Sequence, residues 1–503
     1  MRRDGVCARY IVALTLFGTL VITACGAPSG TGIGPTAAPA NPTAGPVNPT
    51  TAPAPQATAP APQATAAPAP EATSAPTPGP ASSAKVKILV DGGPGPDDEK
   101  GKANFQALVD RFHKVRPDVE IQSVPGGYDP QQFAAKMAAG TVENAFGVWF
   151  TEVQKLIKQG VAADITDYFK QWEHFDEIRP ETLKVVTGPD GRIYGIPVDT
   201  YGIGMVYHRT LFEKAGLDPN RPPETWEELR QYAKQIKDKT GAAGFAISSK
   251  DNAGGWQFTT ILYTMGVDVE QNVNGKWVAA LNDPKVVQAL QMLKEMRWTD
   301  GSMTEEQLLD RGKIEEMMAT DRVAMMLGGP DNPGGMATQY STDIKNFGVA
   351  QLPQDGGNAT ISGGYAYMFS AKSSPEQLKA AVDWVLYHYF APEEYELGLK
   401  EAVERGDLIG HPSYSLFKSG PFLQERQQIL AKYANVPQEI YQPFIAKLDK
   451  ITLKLEPPIE AQALYAELTN VLQAVLTDQS ADPKALLETA NKNVQAVLDK
   501  AQQ

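Results

Sequence analysis

Aromatic rings and carboxylates stand close together at several points along this chain. Trp149 lies three residues before Glu152, and Asp199 lies two residues before Tyr201. A ring offers a flat apolar surface to the C–H face of a sugar, and a carboxylate accepts hydrogen bonds from its hydroxyls. The same two groups also bind a cationic amine, by cation–π attraction and by charge. Both chemistries require elements that bring distant segments together.

Catalytic motifs match this sequence poorly. It has no Gly-x-Ser-x-Gly elbow, no His-Glu-x-x-His helix and no Walker phosphate loop, and its five histidines lack the spacing of metal ligands. We therefore predict no catalytic residue, no metal site and no cofactor. A surface-tethered glycosidase stays open as an alternative, because two Asp or Glu carboxyls need only lie about 5–10 Å apart in a fold.

The N-terminus carries the features of an export signal. Arg2 and Arg3 precede an apolar run, Tyr10–Ile22, which is too short to span a bilayer comfortably. Ile22-Thr23-Ala24-Cys25 resembles a bacterial lipobox, so we predict that residues 1–24 are a lipoprotein signal peptide and that Cys25 is lipidated. The alternatives are a cleaved signal with an incidental cysteine and an uncleaved membrane anchor.

Residues 25–84 have the composition of a tether. After Cys25 the tract is rich in Pro, Ala and Thr, and it repeats Pro-Ala-Pro-Gln-Ala-Thr at 53–58 and 60–65. Such a segment cannot bury a core, so we predict a disordered linker. At about 3.1 Å per residue in polyproline II, it would reach ~180 Å when fully stretched. The expected location is the extracytoplasmic face of the cell membrane, held by the lipid.

The length, cysteine content and charge of the globular part, residues 85–503, exclude several classes of protein. The chain has 503 residues and two cysteines, Cys7 and Cys25, which both fall outside the globular part; disulfides and zinc–thiolate sites are therefore excluded there. The formal net charge is −13. Residues 1–24 carry three Arg and one Asp, so the mature chain is more acidic still. This charge disfavours nucleic-acid binding.

Strand and helix patterns alternate from the start of the globular part. Val86–Val90 reads as a strand, the apolar residues of 105–112 follow a helical spacing, and 119–124 reads as extended. A second helix near 130–139 and the apolar run 145–150 continue the alternation, which favours a parallel sheet covered by helices. Helix starts are predicted at Thr225, as a capping box with Glu228, and at three residues that precede a proline, which are Asp283, Ser374 and Asp482.

Short motifs run through the globular part in a definite order. They are Arg116–Glu120 (Arg-Pro-Asp-Val-Glu), Ala139–Thr141, Gly160–Thr166, Asp190–Pro197 (Asp-Gly-Arg-Ile-Tyr-Gly-Ile-Pro), Leu211–Leu217 and Pro223–Leu229 (Pro-Glu-Thr-Trp-Glu-Glu-Leu). Their order and spacing resemble the extracellular solute-binding proteins of ABC importers, in the sugar-binding family that includes maltose-binding protein. The resemblance implies an α/β, two-lobed periplasmic-binding-protein-like fold of type II, with discontinuous lobes, hinge strands and a ligand cleft.

The resemblance also implies where the chain crosses between lobes. The crossings are expected near Pro197-Val198, near 349–353 and near 400–408. Lobe I is then 85–197 plus 353–403, and lobe II is 199–350 plus 405–503.

Two candidate ligand contacts in the first half of the chain follow from the resemblance. Trp149 and Glu152 match the place where relatives put a ligand-contacting tryptophan and carboxylate. The alternative for Trp149 is a core position, and the alternative for Glu152 is a first-turn carboxylate stabilised by the helix dipole.

The other candidates lie at or beyond the first crossing. Tyr201 and Asp199 sit at it, although Asp199 also suits a turn. Trp256 follows a Gly-rich loop but would equally fit a buried helix face with Phe258 and Ile261.

Two later segments complete the predicted site. Asp331 stands where relatives commonly place a stacking tryptophan after Gly-Pro, and a simple helix cap is its alternative. Gly364 lets the backbone approach the cleft beside Tyr365, and alternation puts Tyr365 and Tyr367 on one face of the strand. Asp91 and Asp98, in the first Gly/Pro loop, are weaker candidates.

The resemblance implies capture without chemistry. We expect a monomer that binds a sugar or oligosaccharide and delivers it to ABC permease subunits in the membrane. A binder of a cationic solute, such as a quaternary amine or polyamine, is the alternative, because Glu152, Asp199 and Asp331 form an acidic set.

Overall fold

Two separate sheets organise the part of the chain that the computed structural model describes, residues 85–503. The predicted signal peptide, the lipidation at Cys25 and the linker lie outside these residues. Among the helices of residues 85–503, none has the length and apolar character needed to cross a membrane.

The strands are short and most are buried. They are β1 (Val86–Gly93), β2 (Val119–Pro125), β3 (Ala145–Trp149), β4 (Gly195–Thr200), β5 (Gly204–His208), β6 (Glu270–Val273), β7 (Lys276–Ala279), β8 (Met325–Gly328), β9 (Phe347–Gln351), β10 (Ala359–Ser362), β11 (Gly364–Phe369) and β12 (Thr452–Leu455).

Helices fill most of the connections. They are α1 (Glu99–Val115), α2 (Pro130–Ala139), α3 (Phe150–Lys158), α4 (Thr166–Phe169), α5 (Pro180–Val186), α6 (Arg209–Ala215), α7 (Trp226–Thr240), α8 (Ala253–Thr264), α9 (Pro284–Trp298), α10 (Arg311–Ala319), α11 (Asn332–Tyr340), α12 (Pro375–Phe390), α13 (Pro392–Glu404), α14 (Pro421–Tyr433), α15 (Gln442–Ile445), α16 (Ala461–Thr477) and α17 (Pro483–Ala501). Single 3₁₀ turns occur at Phe175–Glu177, Ile344–Asn346, Gln438–Tyr441 and Leu448–Lys450.

The first sheet has the strand order β2-β1-β3-β11-β4. β1 is parallel to β2 and β3, whereas β11 runs antiparallel to β3 and β4. The predicted alternation of strand and helix over 86–150 is confirmed. Ala145–Val148 of β3 are all buried, as expected for a strand covered by helices on both faces.

The second sheet is antiparallel, in the order β8-β5-β9. Two ladders accompany it: β10 pairs in parallel with β12, and β6 pairs antiparallel with β7. Each main sheet has its own hydrophobic core. One core holds Phe112, Phe146 and Trp384, and the other holds Tyr207, Trp226 and Phe258. The molecule therefore has two lobes.

Helix starts follow the capping signals in the sequence. Asp283 and Asp482 accept hydrogen bonds from Lys285 N and Lys484 N, at 2.8 and 2.9 Å. Ser374 forms a full capping box with Gln377. The box predicted at Thr225 is only half formed: Thr225 Oγ1 accepts from Glu228 N at 3.1 Å, but the Glu228 carboxylate accepts from Glu224 N instead.

The chain passes between the sheets in short segments. Residues 201–203 join β4 to β5, and residues 352–363, which include β10, lead from β9 back to β11. Farther on, Phe422 of α14 lies in the first core, while Tyr414 and Tyr441 pack with Val349 of β9. We keep the predicted lobe limits as a proposal, with α14 placed beside the first core.

Candidate functional site

Three of the predicted residues lie side by side at one end of the first sheet. Tyr365 on β11 is opposite Trp149 on β3 and opposite Asp199 on β4. Sequence separations of 216 and 166 positions are therefore reduced to the spacing of neighbouring strands, about 5 Å. This row is the first wall of the candidate site.

Trp149 presents an accessible ring at the end of β3. Its side chain and backbone are 38% exposed, which excludes the core alternative. The Tyr128 ring meets it edge-on, with centroids 5.3 Å apart. Tyr128 Oη donates a hydrogen bond to Glu152 Oε2 at 3.1 Å, and Lys155 Nζ lies 3.8 Å from the same oxygen. Glu152 is buried in the first turn of α3, where the helix dipole stabilises its negative charge. This location also lies next to Trp149, so the two interpretations of Glu152 are compatible.

Glycines allow the backbone and rings of this wall to approach closely. A Cβ on Gly364 would lie 2.1 Å from the Asp199 carbonyl oxygen, so this position requires glycine. A Cβ on Gly147 would lie 2.2 Å from Cε1 of Tyr365, which shows that the Tyr365 ring lies against β3. The centroids of Tyr365 and Tyr367 are 6.1 Å apart, and their predicted location on one face is confirmed.

Asp91 on β1 contacts the backbone of β3 next to this row, whereas Asp98 lies at the start of α1 and is not part of the row. Gly147 N donates to Asp91 Oδ2 at 2.8 Å, and Tyr389 Oη donates to Tyr367 Oη at 2.9 Å. Burial raises the pKa of the Asp91 carboxyl to about 6, although the Gly147 N–H and the Tyr367 hydroxyl lower it. Asp98 accepts from Gly101 N at 2.8 Å and is the cap of α1.

Asp199 connects the two lobes electrostatically. It is half-buried, and no Lys or Arg among residues 85–503 forms an ion pair with it. Its pKa is raised to about 7, chiefly by burial; the hydrogen bond from the Thr200 N–H lowers it, and the negative charge of Asp331 on the second lobe contributes to the rise. The charge of Asp331 therefore acts on Asp199 in this row.

Asp331 is held by an arginine. Arg311 Nη2 lies 3.4 Å from Asp331 Oδ2, and Arg311 Nε lies 2.7 Å from Glu315 Oε1. Within the described part of the chain, the Asp331 side chain makes no capping hydrogen bond to α11, so the alternative of a simple cap is wrong. Asp331 is positioned as an acceptor at the edge of the second lobe.

Tyr201 and Trp256 form the ring pair on the second lobe. Both are half-buried, and their centroids are 6.0 Å apart with the rings nearly perpendicular. Trp256 is only partly buried and packs against the core that contains the fully buried Phe258 and Ile261, so the site contact and the core alternative both stay open. Tyr201 hydrogen-bonds to Glu456, and the charge of Asp199 acts on Tyr201, so the ring pair lies near the Asp199 carboxylate.

Tyr128, Arg311 and Glu456 belong to the site but are not among the sequence predictions. A signal for Tyr128 exists: it follows β2, and the carboxyl ends of parallel strands meet at one edge of a sheet. Arg311 and Glu456 come from segments far away in sequence, and nothing in their local pattern indicates where they fold.

Comparison with known proteins gives a family match over most of the described chain. The family model described as bacterial extracellular solute-binding protein matches residues 95–387. The chain is 26% identical over 296 residues to the sn-glycerol-3-phosphate-binding periplasmic protein UgpB of Pectobacterium atrosepticum, which covers 55% of this chain and 64% of UgpB. It covers 59% of the length of a Brucella abortus binding protein. The resemblance drawn from the motifs is confirmed.

Solved structures share the fold. A solute-binding protein of an ABC transporter from Thermotoga lettingae, bound with α-D-tagatose, matches with a TM-score of 0.62 at 21% identity, over 82% of this chain and 99% of that chain. UgpB from Mycobacterium tuberculosis, in complex with glycerophosphocholine, matches with a TM-score of 0.61 at 17% identity, over 83% and 99%. The predicted α/β two-lobed fold class is confirmed for the described residues.

Proposed function

Because this chain belongs to the family of bacterial extracellular solute-binding proteins, we propose that it captures a carbohydrate between its lobes and delivers it to the permease of an ABC importer. The observation that supports the proposal is the row of Trp149, Tyr365 and Asp199 at one end of the first sheet, together with the effect of the Asp331 charge on Asp199. It combines apolar ring surface with hydrogen-bond acceptors, and a sugar needs both.

Binding is coupled to closure through the carboxylates of Asp199 and Asp331. The negative charge of Asp331 disfavours the ionised form of Asp199, and a ligand that donates hydrogen bonds to both carboxylates would relieve this repulsion. A ligand whose hydroxyls donate to both carboxylates makes more contacts in the closed form than in the open form. It shifts the population toward closure by that difference in contact free energy.

A phosphate ester is the second candidate ligand. The likeness to UgpB, whose name states sn-glycerol 3-phosphate, favours it, and Arg311 is a guanidinium that a phosphate would pair with. Against it, Arg311 already contacts Asp331 and Glu315, and the carboxylates of Glu152 and Asp199 add negative charge. The balance of charge supports a neutral polyhydroxylated ligand.

A calorimetric panel separates these ligand classes. The purified full chain would be titrated with maltose, D-tagatose, sn-glycerol 3-phosphate and spermidine. Saturable heat with a saccharide, weakened by Asp331→Asn, supports the proposal. Saturable binding of only the phosphate ester or only the amine overturns the carbohydrate assignment, and the amine result would favour a cationic solute instead.

The anchor is a further part of the proposal. We infer that Cys25 carries a lipid and that residues 26–84 span the distance between the membrane and the lobes. The lipobox-like Ile22-Thr23-Ala24-Cys25 and the Pro-rich composition support this.

A further inference from the structure

A chain of hydrogen bonds runs from Trp256 to the carboxylate of Glu456. The Trp256 side chain hydrogen-bonds to Tyr201, and Tyr201 hydrogen-bonds to Glu456. Tyr465 Oη donates to Glu456 Oε1 at 3.1 Å. An indole N–H only donates, so the direction is fixed: Trp256 donates to the Tyr201 hydroxyl, and that hydroxyl donates to the carboxylate. Glu456 is the common acceptor at the end.

This chain of bonds lies where the backbone passes between the sheets. Tyr201 is in the segment from β4 to β5, and Gly363 is in the segment from β10 to β11. A Cβ on Gly363 would lie 2.3 Å from both Glu456 Oε2 and Tyr201 Oη, so the two groups close over this glycine. Tyr201 N donates to Gly363 O at 3.2 Å, and Glu456 N donates to Ser362 O at 3.1 Å. Two crossings are thereby joined at one carboxylate.

The surroundings of Glu456 destabilise its ionised form. No Lys or Arg among residues 85–503 forms an ion pair with it. Burial raises its pKa to about 7, although both tyrosine hydroxyls lower it. The charged and titratable side chains around it are Tyr201, Tyr465 and Tyr263, with Asp199 beyond Tyr201, and with Glu270 and the Lys454–Asp268 pair beyond Tyr263.

We propose that Glu456 is a positioning residue, which holds the Tyr201 and Trp256 rings at the crossing while it is ionised and releases them when it is protonated. The ionised carboxylate accepts from both tyrosines. A proton on Oε2 becomes a donor toward Tyr201 Oη, which reverses that bond and leaves the Tyr201 hydroxyl hydrogen without the acceptor that oriented it. The consequence for ligand capture rests on the proposed function, whereas the effect on the rings does not.

The test is a pH titration of tryptophan fluorescence in the unliganded full chain. The difference between wild type and Trp256→Phe isolates the signal of Trp256. We expect a transition with a midpoint near pH 7 in wild type. Glu456→Gln should abolish it, because a glutamine amide does not gain or lose a proton in this pH range.

Glu270→Gln is the matched control. Glu270 is a second glutamate whose pKa burial raises to about 7, but it lies on β6 and accepts from Ile459 N at 3.3 Å. This variant should keep the transition of Trp256. Tyr201→Phe, which removes the linking hydroxyl alone, should abolish it, and it decides the matter should Glu456→Gln fail to fold.

Three results would overturn the proposal: no transition in wild type, a transition that survives in Glu456→Gln or Tyr201→Phe, or an equal loss in Glu270→Gln. None of these measurements uses a ligand. A failure of the saccharide panel would therefore reject the proposed function and leave this inference standing, and the reverse also holds.

Discussion

At the scale of single residues, the proposed ligand capture depends on two carboxylates from different lobes. Asp199 and Asp331 lie close enough for one charge to raise the pKa of the other, and only Asp331 is paired, with Arg311. On the proposed function, hydroxyl donors from a neutral ligand would satisfy both carboxylates without adding charge. A phosphate would have to compete with Asp331 for Arg311. The aromatic rings of Trp149 and Tyr128 supply the apolar contact beside them.

Trp149 is the residue whose truncation should cost the most affinity. Trp149→Ala removes the exposed ring and should weaken saccharide binding by about 1.5–3 kcal/mol, or roughly ten- to a hundredfold in Kd. Calorimetry with the saccharide that binds in the panel measures this. Trp277→Ala, on β7, is the control and should leave Kd unchanged. Equal affinity of a folded Trp149→Ala variant would remove Trp149 from the site.

The buried carboxyls predict a pH dependence of stability. The pKa of Glu456 in the folded chain is about 7, above its ordinary value of 4.5, so the folded state binds more protons than the unfolded state between these values. Its contribution to the free energy of unfolding is therefore largest below about pH 4.5 and is lost as the pH rises to 7. Urea unfolding should show that the free energy of unfolding falls between pH 5 and pH 7.5 in wild type. In Glu456→Gln this fall should be smaller, by on the order of 1 kcal/mol. The same loss in both proteins would contradict the assignment.

Some of these residues could be predicted from the sequence, and others could not. Trp149 and Asp199 lie at the ends of strands β3 and β4. A strand end recognised in the sequence predicts that a side chain there lies at the edge of the sheet. Tyr128 could have been included by the same reasoning. Glu456 and Arg311 gain their place only from long-range packing, since α10, α16 and the β10–β12 ladder must first assemble.

At the scale of elements, the sheet edge positions the site. β1, β2 and β3 are parallel, so their carboxyl ends bring Asp91, Tyr128 and Trp149 to one edge. The alternation of strands and helices and the helix caps are local, which is why the sequence predicts them. The insertion of β11 between β3 and β4 is a pairing of distant segments, and no local pattern specifies its register.

Gly364 tests whether this register is as tight as the structure indicates. Gly364→Ala puts a Cβ 2.1 Å from the Asp199 carbonyl oxygen and should reduce the free energy of unfolding by about 1–3 kcal/mol. Gly335→Ala is the control, because Gly335 lies within α11 with open space around it, and it should be neutral or stabilising by up to ~1 kcal/mol. Midpoints of urea unfolding would compare them. A Gly364→Ala protein as stable as wild type would show that β4 and β11 have room to separate.

At the scale of the whole molecule, two cores with separate sheets are joined by short crossings. This arrangement allows the lobes to move relative to one another while each core stays packed. The bonds among Tyr201, Gly363 and Glu456 lie at those crossings, so a change there acts on both walls of the cleft.

The anchor predicts a change of cell fraction. Cys25→Ser removes the proposed lipidation site, so the chain should move from the membrane fraction to the soluble or secreted fraction in a bacterial host. Immunoblots of the two fractions measure this, with Cys7→Ser as the control that should stay with the membrane. Unchanged membrane association of Cys25→Ser would reject the lipid anchor and favour an uncleaved membrane segment.

The most direct test of the account is to identify the ligand that the purified full chain carries. Native mass spectrometry gives the mass of the complex, and release of the ligand allows its composition to be read. We predict a neutral polyhydroxylated compound at one per chain, lost from a variant that combines Asp199→Asn with Asp331→Asn. A phosphate ester or an amine recovered in its place would contradict the proposal that this chain captures a carbohydrate.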